Sequence, residues 1–360
     1  MKWDIVKLGD ACREDKTHID GKSSSKPYLG LEMIEAETGR IDWSIPTVKG
    51  ISTCYSFDTR HILYGKLRPY LNKVALPTVD GRCTTEIIPL LPNDGVCREY
   101  IAFLLRRKET IDYVMPENTG SRMPRADMEH LLNMEIPLPL IDEQRRIAAE
   151  IERQFAAVER AKRAAVEQLA TARELNTAYL REVFEGNNWE FVSLGSVCKK
   201  ISSGKNKRRS DSGQYCIYGS TGVIGYSDAF EYERDAILVA RVGANCGYVH
   251  IATGCYDVSD NTLVIEHNDV VLDLKFAYYL LMNMNLNQYA NGGGQPLVTA
   301  GQLKALIIPL PTIDEQHRIA TKFERLFTTV ERTIRIVTEQ LYTINAIPTA
   351  ILRQAFSGQV

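Results

Sequence analysis

Long apolar runs, paired cysteines and an excess of one charge are all missing from this sequence, and each gap excludes a class of function. No stretch of about 18 residues is apolar enough for a transmembrane helix. The opening residues, MKWDIVKLGDACREDK, carry charges where a signal peptide needs an apolar core, so a cytoplasmic protein is expected. Cys12, Cys54, Cys83, Cys97, Cys198, Cys216, Cys246 and Cys255 are scattered, with no C-x-x-C pair for zinc or redox chemistry. They read as reduced, mostly buried thiols. There is no G-x-x-x-x-G-K-[ST] phosphate loop, and the six histidines have no metal-ligand spacing. No catalytic residue, metal or cofactor is expected. A net charge of −2 and a pI of about 6.4 set the chain apart from strongly basic, free-standing DNA binders. Any contact with nucleic acid would come through local patches, or beside a basic partner.

What the sequence does contain is a long internal repeat. Residues 136–186 align without a gap to residues 308–358, and about 28 of the 51 pairs are identical. The absence of gaps says that the length of the repeated element is fixed, as a spacer requires. Residues 142–186 predict one long helix. Asp142 stands where it can cap the start, Glu143 lies in the first turn, and Gly186 suits the stop. Ile147, Ile151, Phe155, Val158, Leu169 and Leu175 recur at spacings of three and four. The second copy, 314–360, carries the same stripe through Ile319, Phe323, Val330 and Leu341, and Pro348 is expected to kink or break it. Helices with one apolar stripe and a charged remainder need a partner, so the two are expected to pair as a coiled coil. An antiparallel pair would place the domains that precede them at opposite ends, about a pseudo-twofold axis.

Residues 1–141 and 187–313 differ from the helices. Short β-rich runs (HILYGKLRPY, CTTEIIPL, AILVARVGANCGYVHIA, NTLVIE) alternate with Gly, Pro, Asn and Asp, and each segment has one helical stretch. Both begin alike, VKLGDAC and VSLGSVC, yet their middles diverge. The expected fold class is α+β: two globular domains with similar frames and different contents, joined by two long antiparallel coiled-coil helices.

This pattern resembles the specificity subunit of type I restriction–modification systems over essentially the whole chain. The marks are IPLPLIDEQRRIA and IPLPTIDEQHRIA opening the two helices, FSGQV at the end, ILYGKLRPYLNKV with CTTEIIPL in the first domain, and IYGSTGVIGY, ILVARVGANCGYV and VSDNTLVI in the second. The resemblance implies two target-recognition domains, each reading half of a bipartite sequence in double-stranded DNA. It implies a coiled-coil spacer that sets the unread gap and docks two methyltransferase subunits. It further implies an assembly that can recruit endonuclease/translocase subunits, and a chain that does no chemistry itself. The tetrapeptide of amino-methyltransferases is indeed missing, and DEQRR at a helix start reads as capping rather than as a helicase box.

Reading DNA needs cations for phosphates and forked donors for base edges. In the first domain YGKLRPYLNK offers Lys66, Arg68, Tyr70, Asn72 and Lys73. Lys66 and Arg68 would share a strand face, with Arg68 held extended by Pro69. The loop before the helix adds Ser121, Arg122 and Arg125. In the second domain KKISSGKNKRRS holds six positive charges and no negative one, with Lys205, Asn206, Lys207, Arg208 and Arg209 as candidates. Arg241, Asn245, Asn261, Gln295 and Thr299 complete the set. The plainer alternatives stay open: a solvated strand with cross-strand ion pairs, or ordinary surface loops. An assembly scaffold that binds no nucleic acid is the rival reading of the whole chain, with no membrane role in either case.

Overall fold

The computed structural model describes residues 3–21, 24–46, 53–115, 123–185, 187–206, 210–290 and 296–357. It divides into two compact units. Unit 1 is Met1–Ala165 with Gln340–Val360, and unit 2 is Val166–Glu339. Unit 1 thus holds the first turns of one long helix, Ile141–Glu185, and the last turns of the other, Ile313–Phe356. Unit 2 holds the converse.

In unit 1, strand Asp4–Lys7 pairs antiparallel with Glu135–Leu138, Asp4 opposite Leu138. A four-stranded sheet follows, in the order Cys12–Glu14, Ile87–Pro92, Ile62–Gly65, Val74–Ala75. A second sheet has the order His18–Asp20, Thr53–Phe57, Gly81–Thr84, Tyr28–Leu29, its last pair parallel. Helix Arg98–Leu105 buries every side chain from Tyr100 to Leu105, because it is covered on nearly all sides.

Unit 2 repeats the frame. Glu190–Ser193 pairs with Ile307–Leu310, Glu190 opposite Leu310, in the register of the first unit. Its four-stranded sheet runs Cys198–Ser203, Thr262–His267, Ala236–Ala240, Val249–Ala252. The remaining sheet has three strands, Gly222–Ser227, Tyr215–Gly219 and Tyr256–Val258, where unit 1 has four. This is where the two contents diverge. Strand Ala236–Ala240 is buried on both faces, which explains its unbroken apolar run. Ile237 and Val239 enter the core shared with helix Leu274–Asn283, while Ala236 and Leu238 meet Tyr256 and Val258.

The long helices bury one residue in seven as a continuous series. In the first these are Gln144, Ile151, Val158, Ala165 and Ala172; in the second, Gln316, Phe323, Val330 and Val337. Seven-residue spacing is the signature of a coiled-coil seam. Of the residues expected in the stripe, Ile147, Ile151, Val158, Ile319, Phe323 and Val330 are buried, and Phe155, Leu169 and Leu341 are half-buried. Leu175 is exposed instead.

Two local expectations are corrected. Asp142 does not cap the first long helix: the helix starts one residue earlier, and Asp142 is an exposed first-turn acid facing Arg145 at 3.8 Å. Asp314 also lies inside its helix, where Thr312 accepts from Glu315 N–H instead. The anchor at both starts is a buried glutamine. Gln144 Oε1 accepts from Cys97 N–H (2.8 Å), and its Nε2 donates to Pro139 O (2.7 Å). Gln316 does the same with Asp273 N–H (2.8 Å) and Pro311 O (2.9 Å). Finally, Pro348 does not break the second long helix, which continues to Phe356. One lost backbone bond is tolerated there because the next turns are packed, Leu352, Ala355 and Phe356 all entering the unit 1 core.

Candidate nucleic-acid interface

Each unit contains the same joint, built from three chain segments. In unit 1 the chain leaving strand Ile62–Gly65 makes it. Lys66 N–H donates to Glu86 O (2.9 Å), Ala126 N–H donates to Lys66 O (2.8 Å), and Arg68 N–H donates to Pro124 O (2.7 Å). In unit 2 the chain leaving Ala236–Ala240 repeats the pattern. Arg241 N–H donates to Asn261 O (2.9 Å), Val298 N–H to Arg241 O (2.9 Å), and Gly243 N–H to Pro296 O (3.3 Å). The third segment then enters a short helix in both units, capped by Asp127 in one and by Thr299 in the other. The joint therefore brings together Lys66, Arg68 and Arg125 in unit 1, and Arg241, Asn261 and Thr299 in unit 2. Within each unit the joined segments are far apart in sequence.

The loop that forms the joint has the same length and turns in both units. Gly65 N–H donates to Lys73 O (2.8 Å), and Ala240 N–H donates to Tyr248 O (2.8 Å). Two left-handed residues shape each loop: Arg68 (φ 53°) and Asn72 (φ 49°) in one, Gly243 (φ 82°) and Gly247 (φ 86°) in the other. Glycine adopts this conformation freely, whereas another L-residue loses about 1–2 kcal/mol. At Gly247 the requirement is also spatial, since a Cβ would stand 2.4 Å from Asn287 N.

This geometry corrects the expected strand face. The strand ends at Gly65, so Lys66 and Arg68 lie on the loop, and Arg68 is left-handed rather than extended. Proline disfavours only the right-handed helical region for the residue before it, and the hydrogen bond to Pro124 O fixes the rarer choice.

Several expected contacts are used inside the fold. Asn72 is 4% exposed, and its amide donates to Glu37 Oε2 (2.7 Å) and Arg106 O (2.9 Å). Lys73 Nζ donates to Leu31 O (2.6 Å), and partial burial lowers its pKa. Arg125 grips Glu86 with both forks, Nη2 to Oε1 at 2.9 Å, and that bond raises its pKa. Tyr70 is exposed on the turn Pro69–Leu71. Asn245 and Asn261 are exposed in turns. Thr299 is occupied as a helix cap with Gln302.

The basic run of unit 2 is not unopposed. Lys199 meets Asp269 (2.8 Å), Lys200 meets Glu266 (3.9 Å) and Lys205 meets Glu231 (2.6 Å). Asn206 donates to Asp257. These acids come from other parts of the chain, Glu266 and Asp257 on strands and Asp269 and Glu231 outside strands, which a linear reading of the run misses. Such exposed pairs are weak, at most about 1 kcal/mol each, and can be exchanged for a phosphate. Lys207, Arg208, Arg209, Ser121, Arg122 and Gln295 lie outside the described residues.

Three arginines have a buried Nε with no hydrogen-bond partner among the described residues; that of Arg107 lies 3.5 Å from the Glu109 carboxylate, which leaves Arg68 and Arg241. They rise from the same joint, two loop positions apart. Sequence reasoning missed Glu37 and Arg106, whose signal is purely spatial. Arg106 is buried, donates from Nε (3.0 Å) and Nη2 (2.7 Å) to Val74 O, and desolvation lowers its pKa to about 10. It also missed the twin glutamines, although the repeated IDEQ marks them. Among the described residues no group of three or more His, Cys, Asp or Glu is placed to hold a metal ion, and no helix is long and apolar enough to cross a membrane.

The family model for the type I restriction modification DNA specificity domain matches residues 1–168 and again 186–340. The chain belongs to that family. Among similar members, the EcoprrI specificity subunit of Escherichia coli is 29% identical over 36% of this chain and 33% of its own length. The EcoDI specificity subunit of Escherichia coli is 25% identical over 52% of this chain and 41% of its own length. The aligned parts therefore span less than half of these relatives. A solved chain from work on complex assembly and conformational transition of the type I R-M system is 23% identical, with a TM-score of 0.80, covering 100% of this chain and 98% of that one. At that identity the likeness shows a shared fold alone. The two matched domains coincide with the two occurrences of the joint.

Proposed function

We propose that this chain is the DNA-specificity subunit of a type I restriction–modification complex. Each recognition domain, residues 1–141 and 187–313, reads one half of a bipartite target in double-stranded DNA. The spacer helices, 142–186 and 314–360, set the unread gap and dock two methyltransferase subunits, and endonuclease/translocase subunits join the assembly. The chain performs no catalysis itself, works without a cofactor or metal, and acts in the cytoplasm.

The observation that carries this reading is the repeated joint. One backbone frame occurs twice with different side chains, which is what two readings by one device require. The near-neutral charge and the internally paired cations fit weak binding by the chain alone and tight binding only within the complex.

The test is a map of methylated adenines in cells that express this chain with its methyltransferase, against cells lacking the chain. A bipartite motif with a constant gap is the expected result. No change in methylation with the complex assembled would favour the scaffold instead.

A further inference from the structure

Among the described residues, four non-glycine residues have positive φ: Glu37, Arg68, Asn72 and Asn285. Three of them meet at the loop Lys66–Lys73. Arg68 and Asn72 belong to it, and the Glu37 carboxylate accepts from the Asn72 amide. Strained backbone collects where the surroundings hold it in place and where a side chain has to be aimed.

Unit 2 supplies an internal control. It builds the same loop with Gly243 and Gly247 at the two left-handed positions. Nothing stands within 4 Å of where a Gly243 Cβ would lie, so that corner is open space. The loop therefore needs no side chain there to fold. Asn72 has a structural reason to replace glycine, since its amide ties Glu37 to the backbone of Arg106. Arg68 has none of that kind. Its Nε is buried without a hydrogen-bond partner among the described residues, while three nearby cations, Lys73, Arg106 and Arg125, are engaged within the unit.

We propose that Arg68 is the specificity-determining side chain of unit 1, a guanidinium aimed from a strained corner at a base edge bearing two acceptors in the major groove. A guanine, with O6 and N7, presents that pattern to the fork of an arginine. Asn72, Glu37 and Arg106 are positioning residues: they hold the corner and do not touch DNA. Unit 2 carries Gly243 at this corner and Arg241 two positions earlier, so its reading must start from a different point of the same loop. The inference rests on the DNA-reading function proposed above and assigns its first base contact.

The experiment uses the complete complex in cells and reads the methylated-adenine motif, together with the melting temperature of the purified chain. Arg68→Gly removes the fork and relieves the left-handed strain, so the melting temperature should hold or rise. The motif should lose definition at one position of one half-site, with discrimination there falling roughly 5- to 150-fold. The other half-site and the gap should stay as they were. Arg68→Lys keeps the charge without the fork and should show the same relaxation. Asn72→Ala should blur the same position, and Asn72→Gly, which suits the backbone but lacks the amide, should not rescue it. A motif unchanged in both halves would overturn the proposal. So would a uniform fall in methylation with the motif intact, which describes a phosphate contact or an assembly defect. If the wild-type chain directs no bipartite motif, the DNA-reading function itself fails and this inference falls with it.

Discussion

Replacing Phe323 by alanine tests how unit 2 is held together. Phe323 is 0% exposed and sits where both long helices meet the globular core. Its ring lies 5.3 Å from Tyr179 and 5.5 Å from Phe184, both on the first long helix, and 5.0 Å from Tyr279 on helix Leu274–Asn283. Truncating a buried phenylalanine costs about 3–5 kcal/mol, from lost transfer energy and the cavity left behind. Several aromatic pairs vanish together, which favours the upper part of that range. For a unit of this size each kcal/mol shifts the midpoint by about 2–4 °C, so the expected fall is roughly 6–20 °C. Scanning calorimetry of the purified chain should place the loss in one transition, belonging to unit 2. Tyr342→Ala is the control: that ring is 82% exposed, and its removal should change stability by no more than about 0.5 kcal/mol. A loss below about 1 kcal/mol for Phe323→Ala would refute the aromatic cluster as the keystone of the unit.

Other outcomes follow from single features. Burial lowers the His250 pKa from 6.5 to about 4, and neither ring nitrogen has a hydrogen-bond partner among the described residues. The unfolded chain therefore binds a proton that the folded chain refuses, so this contribution to stability is complete above about pH 6.5 and declines as the pH falls toward 4. Urea midpoints across that window should show a shallower slope for His250→Gln, and an unchanged slope would contradict the assignment. Gln144→Ala should destabilise unit 1 by about 1–3 kcal/mol in chemical denaturation, because it strands the Cys97 N–H and the Pro139 carbonyl. Inserting seven residues into each long helix lengthens it by about 10 Å while preserving the buried series. The unread gap in the methylation motif should then widen with both half-sites unchanged, whereas altered half-sites would refute the spacer.

The features legible in the sequence are those written as periods and repeats. The seven-residue burial of the long helices, the twin frames and the mixed α+β class all follow from local patterns that physics reads one turn or one strand at a time. The joint was legible only in part. Lys66, Arg68, Arg125 and Arg241 were picked out by residue type, but nothing in the order of residues says that Pro124 O fixes Arg68, or that Glu86 holds Arg125. The Arg68–Pro69 step misled because a proline's local bias permits more than one conformation and a tertiary hydrogen bond chose between them. The unopposed charge of KKISSGKNKRRS was an artefact of reading along the chain, since Asp269, Glu266 and Glu231 arrive from elsewhere in the fold.

The partition of the long helices has a consequence for the order in which the molecule forms. Unit 2 is one contiguous stretch of chain and can close its core once residue 339 is available. Unit 1 cannot, because the Tyr100 ring packs at a tilt against Phe356, 5.2 Å between centroids, and Arg107 lies over the same ring. At about 5–20 residues per second, the first unit to emerge from the ribosome waits on the order of 10–40 s, from residue 165 to residue 356, for its last piece. The part of the chain made first is finished last, and through that interval its exposed apolar face is the one a chaperone would be expected to hold.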